Sequence, residues 1–259
     1  MAQEMEKRIN EVCVRILAAS RSELYLHMRF LDVALSAFSY VQNPEMEALG
    51  TDGVGLYYNP AYLGGLYREG RVWVNRAYLH MVFHCIFAHP WKDTRLRKKR
   101  ASRLVEENLA DLLWDVSCDI ASEAMIDSIP LHCVRRPASA FRRETYAELG
   151  KKRRVLNAEG VFTALLEVRP SREQLRRLSQ EFYVDDHRFL AKREFTNLRG
   201  LLYFTDGKGI FPRKMPRYET AFVLMQKEYE EVDVPAWAIK IYLDQEEMEA
   251  YKEGITDEH

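Results

Sequence analysis

The spacing of apolar residues predicts that the first part of the chain is helical. Apolar residues recur at helical intervals over residues 6–19 and 22–41, with an interruption near Ser20-Arg21-Ser22. A serine at this point can cap a helix by accepting a hydrogen bond from a free backbone N–H group. We therefore expect two consecutive helices, the second ending before Asn43-Pro44, because the residue before a proline avoids helical geometry.

A short strand and a further helix are predicted next. Residues 53–60 are rich in β-forming side chains and lie between turn residues, which indicates a strand. Gly64-Gly65 and Gly70 predict a tight excursion of the backbone after that strand. Helical periodicity then covers residues 75–88, and the helix is expected to end before Pro90.

The middle of the chain alternates between polar connectors and helical patterns. Residues 92–103 form a basic, mostly polar connector, and residues 131–160 are basic and weakly patterned. Between them, residues 104–128 carry the pattern of a long helix. Two shorter helices, over residues 161–168 and 171–182, are predicted on either side of a proline.

The character of the sequence changes from Leu198. Three apolar or β-branched runs, separated by turns rich in glycine and proline, indicate strands of an α/β sheet. These runs cover residues 201–204, 221–225 and 237–243. The predicted fold class is α+β, with a mainly helical domain over residues 1–190 and a smaller α/β segment over residues 191–259.

Composition and charge exclude several classes of function. With 47% hydrophobic and 30% charged residues, the chain is typical of globular rather than disordered proteins. A formal net charge of −1 disfavours nucleic-acid binding, although basic runs occur at residues 94–103 and 151–154. The sequence shows neither an apolar leader nor an apolar run near the roughly 18 residues that span a bilayer, so we expect no membrane association and a cytoplasmic protein. The four cysteines form no C-x-x-C pair and are expected to be reduced.

Two histidines in the predicted helix 75–88 point to metal chemistry. His80 and His84 stand in the H-x-x-x-H frame of a zinc-peptidase helix, and a spacing of one turn lets both imidazoles share one tetrahedral metal ion. In the peptidase motif H-E-x-x-H, the glutamate after the first histidine is the general base toward metal-bound water. Met81 occupies that position here, and a thioether cannot take up a proton. The sequence therefore predicts a metal site that lacks the peptidase base.

A third ligand must come from outside this helix. Along residues 104–128 an acidic residue recurs every four positions, so neighbouring members share one helix face. The stripe consists of Asp111, Asp115, Asp119, Glu123 and Asp127. If the two helices pack together, Asp119 can complete the site, and its neighbour Asp115 is the nearest substitute base for any residual hydrolysis. His89 is the alternative third ligand, provided that the break at Pro90 turns its side chain back.

These features also have explanations without a metal. Two histidines four residues apart on an apolar helix are often ordinary helix residues, and an acidic stripe is usually the solvated face of an amphipathic helix. Cys85 and Cys118 lie beside candidate ligands, but free cysteines are most often small core residues. Both readings stay open at this level.

The order of several short motifs resembles a bacterial metallopeptidase-like family. The motifs are Leu56-Tyr57-Tyr58-Asn59-Pro60, His80-x-x-x-His84-x-x-x-x-His89, Trp114-x-x-x-x-Asp119, Asp185-Asp186-His187, the stretch 200–212 with Thr205-Asp206-Gly207, and Val234-Pro235-Ala236-Trp237. The resemblance implies a zincin-type N-terminal domain joined to a von Willebrand factor A-like domain. It also implies a zinc site in which His80, His84 and Asp119 match ligand positions.

The chain departs from this family in two ways. Met81 replaces the glutamate, which puts peptidase activity in doubt. The D-x-S-x-S motif of a von Willebrand A domain is missing, and only about ten residues separate His187 from Leu198, where most of that domain would lie. The second domain thus looks truncated.

Two functions follow from the resemblance. The first is a zinc-binding, catalytically impaired metallopeptidase-like protein, a pseudoenzyme with no assigned catalytic residue. The alternative is a non-enzymatic adaptor that works with a MoxR-type AAA+ ATPase. About three leftover strands cannot form a self-contained doubly wound domain, because a parallel sheet needs both faces covered. We therefore expect the C-terminal segment to pack on the first domain; the alternatives are a homo-oligomer formed through an open sheet edge, or a segment that remains poorly ordered.

Overall fold

The computed structural model describes residues 2–89, 107–187, 200–205, 219–225 and 234–243. The chain divides into two compact units, residues 1–194 and residues 195–259. The predicted boundary between residues 190 and 191 lies close to this division. The basic connector 92–103 and the Asp206-Gly207 turn lie outside the described residues.

The first helix is longer than the sequence predicted. Helix α1 runs without a break over Ala2–His27, and the hydroxyl of Ser22 donates a hydrogen bond to the carbonyl oxygen of Ala18 instead of capping a second helix. Its buried stripe continues through the expected break, because Leu17, Ser20 and Leu24 all face the core. The prediction of two helices separated at Ser20-Arg21-Ser22 is therefore wrong.

The helix predicted to continue to residue 41 is replaced by two short helical segments and a strand of a small sheet. A 3-10 turn over Arg29–Leu31 and the short helix α2, Asp32–Ser36, lead into strand β1, Ser39–Gln42. The spacing of apolar residues in this stretch also fits a helix, so the sequence pattern did not reveal the strand. Its aromatic and β-branched residues form a strand because they pair with another strand in the folded protein.

Three strands form the sheet of the first unit. Strand β2 covers Leu49–Thr51 and β3 covers Gly55–Tyr58, within the strand predicted over residues 53–60. The order is β1-β3-β2, with β1 parallel and β2 antiparallel to the central β3. The central strand is almost fully buried, and its residues Leu56 and Tyr58 belong to an apolar cluster of the core.

Two helices follow the sheet directly. Helix α3 spans Pro60–Glu69 and is capped by Asn59, whose side-chain oxygen accepts hydrogen bonds from two backbone N–H groups of the first turn. Gly64 and Gly65 lie inside this helix, so the tight excursion predicted there is wrong. The break falls at Gly70, whose φ of 134° suits glycine alone, and helix α4 then spans Arg71–Ile86.

Four more helices follow among the residues of the first unit that the structure describes. Helix α5 spans Glu107–Ser128, α6 Ala140–Lys152, α7 Ala158–Val168 and α8 Arg172–Phe182. The two short helices predicted after residue 160 are confirmed as α7 and α8. The sequence did not predict α6, because it has little apolar periodicity; Ser139 caps its first turn.

Two apolar clusters form the core of the first unit. One surrounds α1, α4 and the sheet and includes Leu17, Leu24, Tyr58, Tyr78 and Met81. The other surrounds α5, α7 and α8 and includes Trp114, Ile120, Phe162 and Phe182. Helices α4 and α5 contact each other, so the helix with the two histidines lies against the helix with the acidic stripe.

The second unit contains three parallel strands among its described residues. Strand β4 covers Gly200–Thr205, β5 Glu219–Met225 and β6 Ile239–Leu243, and the order is β4-β5-β6. All three strands predicted after residue 198 are confirmed. The chain is therefore α+β and mainly helical, and its described part holds two small sheets. The finer zincin-like and von Willebrand A-like assignments stay predictions. None of the described helices combines the length and apolarity needed to cross a bilayer.

Candidate metal centre

Helix α4 presents two buried imidazoles at the centre of the site. His80 and His84 are both 0% exposed, and their Nε2 atoms lie 2.7 Å apart. The spacing of one helical turn brings the two rings together, as the sequence pattern predicts. Their Nδ1 atoms contact other side chains, so each ring presents Nε2 to the same point.

Asp119 approaches this point from helix α5. Its Oδ1 atom lies 3.5 Å from Nε2 of His80 and 3.5 Å from Nε2 of His84. The side chain is 4% exposed, so the carboxylate lies in the core and not on a solvated face. The structure thus brings together the two histidines and the carboxylate that the sequence proposed as third ligand.

Asp185 is the fourth member of the group, and it comes from the segment after α8. Its backbone forms a parallel bridge with Leu49 of β2, and its Oδ1 atom lies 3.6 Å from Nε2 of His80 and 3.9 Å from Nε2 of His84. Asp185 is 1% exposed; its Oδ1 atom lies 3.2 Å from Nε2 of His187, and neither carboxylate oxygen has a well-aligned hydrogen bond from a described residue. A buried carboxylate without well-aligned hydrogen bonds is costly, and a cation at this point would satisfy it.

The four side chains fit a single metal ion. One potential ligand atom from each of His80, His84, Asp119 and Asp185 lies within 4.8 Å of all the others. Neighbouring ligands in a tetrahedral zinc site are about 3.3 Å apart. The nitrogen-to-oxygen distances of 3.5–3.9 Å are close to that value, whereas the 2.7 Å between the two nitrogens is shorter. These four residues could hold a metal ion with two nitrogen and two oxygen ligands.

His89, the alternative third ligand, lies behind His84. Its Nδ1 atom is 3.1 Å from Nδ1 of His84, on the side of that ring facing away from the two carboxylates. His89 is 3% exposed and does not belong to the group of four. In the structure His89 therefore contacts the candidate ligand His84 but lies outside the group that could surround a metal ion.

His187 closes the edge of the site. Its Nε2 atom lies 2.7 Å from Oδ1 of Asp119 and 3.2 Å from Oδ1 of Asp185, and Nδ1 lies 3.7 Å from the partly exposed Asp115. The side chain of His187 is 16% exposed, whereas His80 and His84 are completely buried. Among these histidines, His187 is therefore the one that is most accessible to solvent.

An ionic network supports the site from the opposite side. Glu123 Oε1 lies 3.0 Å from Nδ1 of His80, while its Oε2 accepts hydrogen bonds of 2.6 Å from Arg76 and of 2.6 Å from Arg142. Both arginines also contact Asp127. Such a carboxylate–histidine pair fixes the ring so that the other nitrogen faces the metal position.

The charges of the group follow from burial and from these contacts. Burial alone would lower the pKa of His80, but interactions with the three surrounding carboxylates raise that pKa well above its ordinary value. Burial lowers the pKa of His84. Burial would raise the pKa of Asp119, but the neighbouring charge of His187 brings it down to about 2. Burial also opposes ionisation of Asp185, yet the charge and the hydrogen-bonding contact of His187 hold its pKa well below its ordinary value. The group thus combines two carboxylates with a charged His80 and a neutral His84.

The acidic stripe of α5 is divided between core and surface. Asp119 and Glu123 are buried, whereas the side chain of Asp115 is 38% exposed. The acidic stripe is therefore not simply the solvated face of an amphipathic helix.

Met81 is 0% exposed and packs in the first apolar cluster. All four cysteines are free thiols, and Cys118 is an ordinary core residue.

Sequence reasoning did not assign Asp185, His187 or Glu123 to the site. The Asp185-Asp186-His187 triplet interrupts a helical pattern with metal-binding residue types, which was the available signal. Glu123 follows Asp119 by one helical turn on the same acidic stripe, so its position in the sequence already placed it next to a candidate ligand.

Comparison of the chain with protein-family models, with curated proteins and with solved structures finds no match. The family resemblance therefore stays a prediction, and the function has to be inferred from the geometry of the site.

Proposed function

We propose that this protein is a zinc-binding, metallopeptidase-like protein that lacks peptidase activity and uses its metal to hold the first unit together. The observation that carries the proposal is the buried carboxylate of Asp185, which lacks a well-aligned hydrogen bond from any described residue and lies beside three other potential ligands. His80, His84, Asp119 and Asp185 would hold the ion.

Zinc suits this donor set best. Imidazole nitrogen together with carboxylate oxygen is a common combination for zinc, and a set of four protein ligands is typical of structural zinc sites. Magnesium and calcium prefer oxygen ligands alone, and two of the four donors here are nitrogens. Copper and nickel bind nitrogen as strongly, but they favour square-planar or tetragonal arrangements.

Two features argue against hydrolysis. A catalytic zinc has three protein ligands and a water molecule in the fourth position, whereas four buried side chains surround this position. The residue that would activate the water in H-E-x-x-H is Met81, which packs in the apolar core. Bound zinc would supply Lewis acidity, but with four protein ligands it would have no open position for a water molecule or a substrate.

The metal would join three separate parts of the first unit. The two histidines come from α4, Asp119 comes from α5, and Asp185 comes from the segment after α8. That segment also has polar contacts of its own: the backbone N–H of Asp186 donates to Leu49 over 2.7 Å, the hydroxyl of Tyr62 donates to Val184 over 3.2 Å, and His187 contacts Asp119 at 2.7 Å. Binding energy would therefore stabilise the arrangement of these parts.

X-ray absorption at the zinc edge together with a peptidase assay tests this proposal. Zinc-loaded protein should show four nitrogen or oxygen neighbours at about 2.0–2.1 Å, with an imidazole scattering signature, and no cleavage of casein or of a peptide library. A zinc-bound water together with peptide cleavage that His84→Ala abolishes would overturn it, since both belong to a catalytic site.

A further inference from the structure

Glu123 occupies an unusual position beside the candidate metal centre. It is 2% exposed, and its two oxygens divide their contacts: Oε1 faces Nδ1 of His80 at 3.0 Å, and Oε2 faces two arginines at 2.6 Å each. Both arginines are buried as well, Arg76 at 4% and Arg142 at 1% exposure.

An ionic cluster of this kind is not explained by stability alone. Removing several charges from water costs free energy, and well-packed apolar residues of the same size often give an equally stable core. The cluster nevertheless extends over three helices, because Arg76 comes from α4, Glu123 from α5 and Arg142 from α6. One function that apolar residues could not supply is to accept a hydrogen bond from an imidazole.

The geometry of the cluster defines what Glu123 does to His80. With Oε1 placed at Nδ1, the proton of the ring is held on Nδ1, and Nε2 faces Asp119 and Asp185. The two arginines fix Oε2, so the carboxylate cannot turn away from the ring. Arg142 is itself anchored by the side chain and the backbone of Glu181, at 3.0 and 2.9 Å.

We propose that Glu123, fixed by Arg76 and Arg142, is a positioning residue that sets the zinc affinity of the site by orienting His80. This inference rests on the proposed zinc-binding function and adds to it the residue that controls how tightly zinc binds. Helix α6 takes part through Arg142, although it contributes none of the four ligands.

Asp127 provides a matched control for this inference. Its carboxylate accepts hydrogen bonds from the same Arg76, at 2.6 Å, and from the same Arg142, at 3.2 Å. Among the described residues it also accepts from the hydroxyl of Tyr146, and no contact between Asp127 and His80 is seen. Asp127→Asn therefore removes a charge from the same cluster but leaves Glu123 with both of its arginine contacts and its contact to the imidazole.

The test compares zinc dissociation constants of wild type, Glu123→Gln, Glu123→Ala and Asp127→Asn by competition with a chromogenic chelator. Circular dichroism and thermal unfolding of the zinc-free proteins check the fold. Both Glu123 variants should bind zinc about 10- to 100-fold more weakly, a range typical of residues that orient a metal ligand, whereas Asp127→Asn should remain near wild type. Equal weakening in Asp127→Asn, or wild-type affinity in both Glu123 variants, would overturn the inference.

A second measurement does not depend on any variant folding. Nitrogen-15 NMR of the zinc-loaded wild type should show that His80 is bound to zinc through Nε2 and protonated at Nδ1. Zinc on Nδ1 of His80, or an Nδ1 without a proton, would contradict the inference even if zinc binds. If the wild type binds no zinc at all, the proposed function fails first, so the two failures can be told apart.

Discussion

The Nε2 atoms of His80 and His84 lie 2.7 Å apart, which is a hydrogen-bond distance between two imidazoles. Such a pair shares one proton, and the raised pKa of His80 together with the lowered pKa of His84 assigns that proton to His80. In a tetrahedral zinc site the same two nitrogens would be about 3.3 Å apart. Zinc binding must therefore displace a proton and spread the two rings slightly.

The first prediction concerns pH. Since the pKa of His80 is raised above its ordinary value of 6.5, the ring is protonated at neutral pH when no metal is bound, and zinc has to compete with that proton. Zinc affinity should thus rise from pH 6 to pH 8, and returning the solution to pH 6 should lower it to the starting value. Chelator competition at three pH values measures this trend. An affinity that is flat or decreases over this range would show that zinc does not replace a proton on this ring.

The second prediction concerns Asp185. Zinc should raise the unfolding temperature of the wild type, because a ligand that binds only the folded state stabilises it. In Asp185→Ala this zinc-dependent rise should be largely lost, since one of four ligands is missing. The adjacent Asp186→Asn is the matched control; Asp186 is also buried, but it is not one of the four. Thermal unfolding with zinc and with EDTA checks both variants, and an equal zinc response in Asp185→Ala would remove Asp185 from the site.

The third prediction separates a ligand from its outer contact. His84→Ala should abolish stoichiometric zinc binding, whereas His89→Ala should weaken it by about 10- to 100-fold, as expected for a group that only touches a ligand. Isothermal titration with zinc measures both. Complete loss of binding in His89→Ala would instead make His89 a direct ligand, as the sequence alternative allowed.

The fourth prediction concerns Met81. Because this side chain is completely buried in the apolar cluster, Met81→Glu should place an unpaired charge in the core and cost about 3–5 kcal/mol of unfolding free energy. The conservative Met81→Leu should cost less than about 1.5 kcal/mol. Urea unfolding of the zinc-free proteins measures both values. A stable Met81→Glu protein that cleaves peptides would instead show that the site is a dormant peptidase.

The parts of the site that sequence could reveal are those set by local periodicity. The spacing of His80 and His84 follows from one helical turn, and the recurrence of acids every four residues directs attention to Asp119. Asp185 lies 66 positions after Asp119, so its approach depends on how the segment after α8 meets Leu49. No periodic pattern encodes such a contact.

The errors in the fold have related causes. Ser20 has the residue type of a helix cap but lies in the buried stripe of α1, so packing outweighed local preference. Strand β1 depends on pairing with β3, and the paired residues of the two strands are 16 positions apart in sequence. Docking to a MoxR-type ATPase and assembly through a sheet edge stay predictions, because they depend on surfaces of partners and not on the pattern of this chain.

Bound metal per chain is the most direct test of the central claim. Inductively coupled plasma mass spectrometry should find about one zinc ion per chain in the wild type and almost none in the double variant His80→Ala/His84→Ala. The double variant His27→Ala/His132→Ala is the control, because it removes a second pair of neighbouring histidines, with ring centroids 4.6 Å apart, that lies outside the group of four. This control should keep its zinc. No metal in the wild type, or equal metal in all three proteins, would contradict the account.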